Sequence, residues 1–217
     1  MPHGPLSLPA RLCLLAWDAA RPAADRTALR PGPVRAGALV ELAQRGLLTD
    51  VGGIATPVDL DANTGDPVLD GLLDLVRESR PHAWRTWVTL RARVTSDAVR
   101  EQLVAEGYLR AEKRRVLGVF PSVEYALGRA PVVAALREET RQVLQGPLPA
   151  AGISERDAAV AALAAAAGLF GDGTPAHRTR ALTERAGAAT RGLGSVVREV
   201  TAAVTAGRPP HQAAAPG

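Results

Sequence analysis

The 217-residue chain has a single cysteine, Cys13, which excludes an intramolecular disulfide and a cysteine-rich zinc site. Aromatic residues make up only 3% of it, so platforms for stacking nucleobases are scarce. No apolar run approaches the ~18–20 residues of a membrane-spanning helix. The longest candidates, Leu12 to Trp17 and Ala158 to Phe170, are too short, and the second is mostly alanine. Histidine occurs four times, as His3, His82, His177 and His211, with no two at helical ligand spacing. That argues against a zinc or iron site, and no metal is expected. There is no GxSxG elbow and no GxxxxGK[ST] loop. Gly52-Gly53 and Gly171-Asp172-Gly173 are glycine turns and not dinucleotide fingerprints. Cys13 falls on an apolar helix face, where a thiol packs and does not react. Glu41 and Glu101 are expected singly on helix surfaces. The expectation is a protein with no catalytic residues and no cofactor. The start of the chain lacks the basic residues and small-residue cleavage site of an export signal, which predicts a soluble, intracellular protein.

What the chain does have is arginine. Lysine and arginine total 26 against 22 acids, for a formal net charge of +4. Only Lys113 is a lysine, leaving 25 arginines. A GC-rich genome produces such a bias through codon usage alone. Even so, guanidinium is a fixed, planar cation whose fork matches phosphate. Hydrophobic residues at 47% and charged residues at 22% are ordinary for a globular chain.

Hydrophobic spacing predicts mainly helices. The first covers Leu8 to Trp17, and Asp18 to Gly32 reads as a polar loop. A second helix covers Pro33 to Arg45, with Gly46 as its left-handed cap. LLTDV and IATPV, split by Gly52-Gly53, predict a hairpin. Asp66 and Pro67 open a helix carrying Val68, Leu69, Leu72, Leu73 and Val76. A short helix from His82 or Ala83 to Arg91 carries Trp84 and Trp87 on one face, and Ser96 or Asp97 caps a helix that ends at Gly107. VLGVF and SVEYAL, flanking Pro121, read as a second hairpin. Four more helices follow: Pro131 to Leu144, an alanine-rich one from the Ser154 cap to Phe170, Pro175 to Ala186, and Leu193 to Ala206. The expected architecture is mainly α, a single compact helical domain over 6–206 with one or two small hairpins. A disordered tail is expected over 207–217.

Two constellations carry possible chemistry. The first is the arginine set Arg35, Arg91, Arg93 and Arg100, with Arg114 and Arg115. Arg35 lies near one predicted helix start and Arg91 and Arg93 just before another, where backbone amides favour an anion. If the fold gathers them, a phosphate site results. The second is the arm Val116-Leu117-Gly118-Val119-Phe120, apolar on both strand faces and preceded by Lys113-Arg114-Arg115. It suits either full burial or an apolar tip at a membrane surface, where each basic residue adds roughly 1 kcal/mol toward an anionic leaflet.

In their order, LPARLCLLAWD, VRAGALVELAQRGLL, NTGDPVLDGLL, the Trp84/Trp87 region and REQLVAEGYLRAEKRRVLGVFPSVEY are distinctive. The chain resembles the Golgi phosphoprotein 3 family, including its bacterial and especially actinobacterial members, over roughly residues 6 to 205. The resemblance implies a mostly helical domain that binds phosphatidylinositol 4-phosphate in a shallow basic pocket beside an apolar membrane-docking hairpin. It also implies capture of the cytoplasmic tails of membrane proteins, as eukaryotic relatives hold glycosyltransferase tails. Carried over by motif, the headgroup residues are Arg35 and Arg93, with Arg100 in the same basic stretch. The hairpin residues are Arg114, Arg115, Leu117, Val119 and Phe120. Two departures stand out: Asp25-Arg26-Thr27 lacks the tryptophan of the eukaryotic pocket, and Ser96 stands where arginine is expected.

The expected function is therefore that of a non-enzymatic protein, peripheral on the cytoplasmic face of a membrane, whose partner is an anionic phospholipid headgroup. Stable docking calls for both basic and apolar contacts, or for two hairpins brought together in a homo-oligomer. The alternative is a winged-helix-like nucleic-acid binder, permitted by basic charge and a helix followed by a hairpin. The helices carry few Asn, Gln or Ser to read base edges, so no specific nucleic acid is expected.

Overall fold

The computed structural model describes residues 6–17, 31–116, 120–171, 174–188 and 193–207; for 113–116, 120–122 and 124 it describes the backbone alone. Among these residues are nine α-helices and two antiparallel ribbons. In chain order they are α1 (Leu8–Leu15), α2 (Pro31–Gln44), β1 (Leu48–Val51), β2 (Ile54–Pro57), α3 (Pro67–Glu78), α4 (Trp84–Thr89), α5 (Ala92–Ala105), β3 (Leu109–Val116), β4 (Phe120–Leu127), α6 (Ala130–Gln145), α7 (Glu155–Ala166), α8 (Ala176–Ala186) and α9 (Leu193–Ala206). A 3-10 turn, Ala150–Gly152, precedes α7. The mainly α expectation holds.

Local chemistry sets most of the boundaries. Asp66 caps α3 by accepting from the amides of Val68 (2.9 Å) and Leu69 (3.3 Å), with Pro67 in the first turn. Ser154 caps α7 by accepting from the Asp157 amide (3.0 Å), and its hydroxyl donates to Asp157 Oδ2 (2.6 Å). Gly52 (φ 60°) and Gly53 (φ 86°) make the tight turn between β1 and β2, a double left-handed conformation that glycine adopts without strain.

The core is built around α2. Every residue from Pro33 to Ala43 is buried, and α1, α3, α4, α5, α7 and α9 pack around the helix. Such a helix must be apolar or small nearly all round. Gly37 lets α1 approach: a Cβ there would lie 2.6 Å from Leu12 Cδ1 and 3.2 Å from the Leu8 and Pro9 backbone. Two charges nevertheless sit on this helix, Arg35 and Glu41. The Glu41 carboxylate accepts from the Leu8 amide (2.6 Å), Arg45 Nη2 (2.6 Å) and Arg156 Nη1 (3.1 Å). It thus caps α1 from across the core, where Ser7 gives no side-chain cap.

Three expectations are corrected. The α5 helix begins at Ala92 and not at a Ser96 or Asp97 cap, because Ser96 is buried and Arg91, at φ 50°, turns the chain into the helix. Pro121 does not separate the arms of the second hairpin. It lies within β4 opposite Arg115, and Val116 pairs with Phe120, so VLGVF is no single strand. The α7 helix stops at Ala166, with Gly168 at φ 74° just beyond, short of Phe170. The expected loop from Asp18 lies outside the described residues up to 30, and Pro31 and Gly32 are already helical; the expected tail from 208 also lies outside.

Replacing Gly37 with Ala forces α1 and α2 apart. We expect a loss of about 1–3 kcal/mol of stability, read as a lower urea midpoint. At Asp157, burial raises the carboxyl pKa. The Ser154 hydroxyl and Arg11 (2.8 Å), with Arg156 nearby, outweigh it and hold the group below its ordinary value of 3.8. A depressed carboxyl pKa stabilises the fold above the unfolded value and loses that effect as pH falls through the folded one. Asp157→Asn should therefore cost up to about 1 kcal/mol at neutral pH. In urea titrations across pH, the difference from the parent protein should vanish below the depressed pKa.

Candidate anionic-ligand site

Arg35 is fully buried on α2. Its Nη2 donates to the carbonyl of Arg91 at 2.7 Å. Its Nε and Nη1 are buried without a hydrogen-bond partner. Among the described residues no acid offsets it, and burial lowers its pKa from 12.5 to about 10, so the group remains a cation at neutral pH. Glu41, two turns along the same helix, has its charge met by two arginines. A buried cation with two donors open is the polar group in this core most in need of an anion.

The carbonyl that holds Arg35 belongs to the residue opening α5. Arg91 is the one non-glycine residue with positive φ among those described, and its oxygen also accepts from the Val94 amide (3.0 Å). No side chain caps this end of α5. Its first turn thus places the positive end of a 14-residue helix beside the Arg35 guanidinium. Arg93, in that turn, is exposed and forms no ion pair with any described residue.

The fold brings Arg35 and the Arg93 turn together across more than fifty residues of sequence. Arg100 lies farther along α5, about 10 Å from Arg93 by the helix rise. It is bridged to Asp97 and lies 5.5 Å from the Tyr125 ring centroid, beside the Trp17–Tyr125 edge contact. Its positive charge opposes the burial that pushes the Cys13 thiol up to about 12. Arg114 and Arg115 fall in β3, opposite Ser122 and Pro121. Their side chains and that of Phe120, together with residues Leu117 and Val119, lie outside the described ones. Nearer the body, Arg110, Ala111 and Glu112 are all exposed. Tyr125, opposite Ala111 on β4, is half-buried against Trp17 and Arg100, so at this level the ribbon leans on the body through β4 while these β3 residues stay exposed. Tyr108 and Leu109 at its base are buried, and β3 packs against α5.

Sequence reasoning missed a cavity of about 250 Å³ at the same helix start. It is lined by Pro31, Gly32 and Pro33 of α2, Val88 and Thr89 of α4, Ala92 of α5, Ala167 just past α7, and the end of α9. Small apolar residues carry no chemical signal in a sequence, and only the meeting of five helix ends creates the space.

Among the described residues no group of three or more His, Cys, Asp or Glu side chains could hold a metal ion, and no helix is long and apolar enough to cross a membrane. These features define a mainly α-helical protein with a shielded, acid-free cation under a helix N-terminus. The profile of the Golgi phosphoprotein 3 (GPP34) family matches residues 8–210, nearly the whole chain, and the chain belongs to that family. A search of curated proteins finds no match.

An arginine kept for ligand binding and one kept for folding respond oppositely to an apolar substitute. Arg35→Met removes an unpaired buried charge, and the Arg91 carbonyl keeps its bond from Val94. We expect the urea midpoint to rise, with a gain of about 1–4 kcal/mol; a lower midpoint would assign Arg35 to the fold.

Proposed function

We propose that the protein is a non-enzymatic, peripheral membrane protein that binds an anionic phosphoinositide-type headgroup, with phosphatidylinositol 4-phosphate the first candidate. The observation that carries this reading is the buried Arg35 guanidinium, with two open donors beside the uncapped start of α5. Phosphate supplies acceptors for those donors and for backbone amides of the first α5 turn. Arg93 adds an exposed cation. Arg100 is held by an exposed Asp97 three residues away, a weak pairing that a phosphate can replace.

The hairpin supplies the membrane contact in this reading: Arg114 and Arg115 meet the anionic surface, and Leu117, Val119 and Phe120 enter the interface. Each basic residue contributes roughly 1 kcal/mol, and each fully inserted apolar side chain roughly 1.5–3 kcal/mol as an upper figure. Membership in the Golgi phosphoprotein 3 family supports the assignment. The same family membership favours the cytoplasmic face of a membrane and cytoplasmic protein tails as further partners.

Sedimentation of the full chain with vesicles tests the reading. The vesicles are neutral phosphatidylcholine, the same lipid with phosphatidylinositol 4-phosphate, and a phosphatidylserine mixture of matched charge. Retention on the phosphoinositide vesicles is expected, weakening in high salt. In Arg35→Met it should fall at least about tenfold, the equivalent of one lost charge-assisted hydrogen bond. Failure to bind any vesicle at low salt overturns the proposal, and equal retention on phosphatidylserine overturns its phosphoinositide part.

A further inference from the structure

The cavity beside Arg35 has a character that a headgroup alone does not use. Its described walls are mostly apolar, and Ala92 is one of them. The Arg91–Ala92 peptide carries the carbonyl that holds Arg35 Nη2. Arg35 itself does not line the cavity, but the helix turn before it (Pro31 to Pro33) and the residue after its carbonyl partner (Ala92) both do, which sets a buried cation with two open donors next to an apolar space of about 250 Å³. A hydrated phosphate gains nothing from such walls. A peptide segment is equally ill-suited, because its amide groups would find few partners there. The chemistry that satisfies both ends is an anionic group joined to an alkyl chain.

We propose that the cavity receives the acyl chain of one anionic lipid drawn partly out of the bilayer. The phosphate sits at Arg35 and the first turn of α5, and the chain runs between Val88 and Ala92 toward Ala203 and Val204. This rests on the headgroup reading above and extends it: the site takes a whole amphiphile and not only the polar end. The carbonyl end of α9 also lines the cavity, and there an anion is disfavoured and an alkyl chain is indifferent. That asymmetry fixes which way round the lipid lies.

The test uses the full chain, without vesicles, and soluble alkyl phosphates from methyl to decyl below their micelle concentrations, titrated by calorimetry. Affinity should rise about fourfold per methylene, equivalent to ~0.8 kcal/mol, and level off once the cavity is full. Thr89→Phe, at an exposed rim position, and Ala203→Phe, on α9, should each flatten the series. Both should leave binding of soluble inositol 1,4-bisphosphate unchanged. Circular dichroism establishes that each variant is folded, and either one suffices. A flat series in the parent protein with inositol phosphate binding intact overturns the acyl-chain proposal and spares the headgroup reading. Loss of binding to both ligand sets overturns both. Equal affinity for neutral alkanols of the same length overturns the amphiphile assignment.

Discussion

The burial of α2 is the constraint on which the rest of the structure depends. A helix surrounded by six others has no solvent-facing side to spare for charge, yet it carries Arg35 and Glu41. The two are treated differently. Glu41 is enclosed by Arg45, Arg156 and the first amide of α1, so removing it would strand donors from three segments. Arg35 has one carbonyl and, among the described residues, no acid. In a core that satisfies its carboxylate so fully, the incomplete shell around the cation marks the place where the fold gives up stability.

Much of the arginine excess has a structural use that composition conceals. Arg77 donates to the carbonyls of Asp59 and Ala62, Arg137 to those of Leu15 and Leu169, Arg178 to those of Val143 and Leu148, and Arg185 to that of Ile153. Each bond ties a helix side chain to the backbone of a loop or a helix end. The planar fork reaches two acceptors at once, which a single ammonium on a flexible stem does less well. Basic charge in this chain is thus a poor guide to its ligands, and the informative arginines are those without such partners.

The fold was legible where local chemistry decides it. The Asp66-Pro67 start of α3, the Ser154 cap, the Gly52-Gly53 turn and the α9 limits all follow from residues adjacent in sequence. It was illegible where tertiary contact wins. Arginine in a left-handed conformation is an improbable helix opener, so nothing in the sequence placed the start of α5 at Arg91. The second hairpin was misread because Pro121 looked like a turn residue, although a ribbon with no third strand tolerates proline within it. In the candidate site, Arg35 and Arg93 were recognisable as residue types at helix starts. That one would be sealed in the core and the other exposed depends on packing from distant segments.

The register of β3 with β4 has a practical consequence. Lys113 pairs with Val123, midway along the ribbon, and it is the only lysine in the chain. Acylating reagents that spare guanidinium therefore have a single side-chain amine in the sequence to react with, and it belongs to the second ribbon. A fluorophore placed there by simple bioconjugation would report on the ribbon's surroundings without an engineered cysteine and without disturbing any of the arginine clasps.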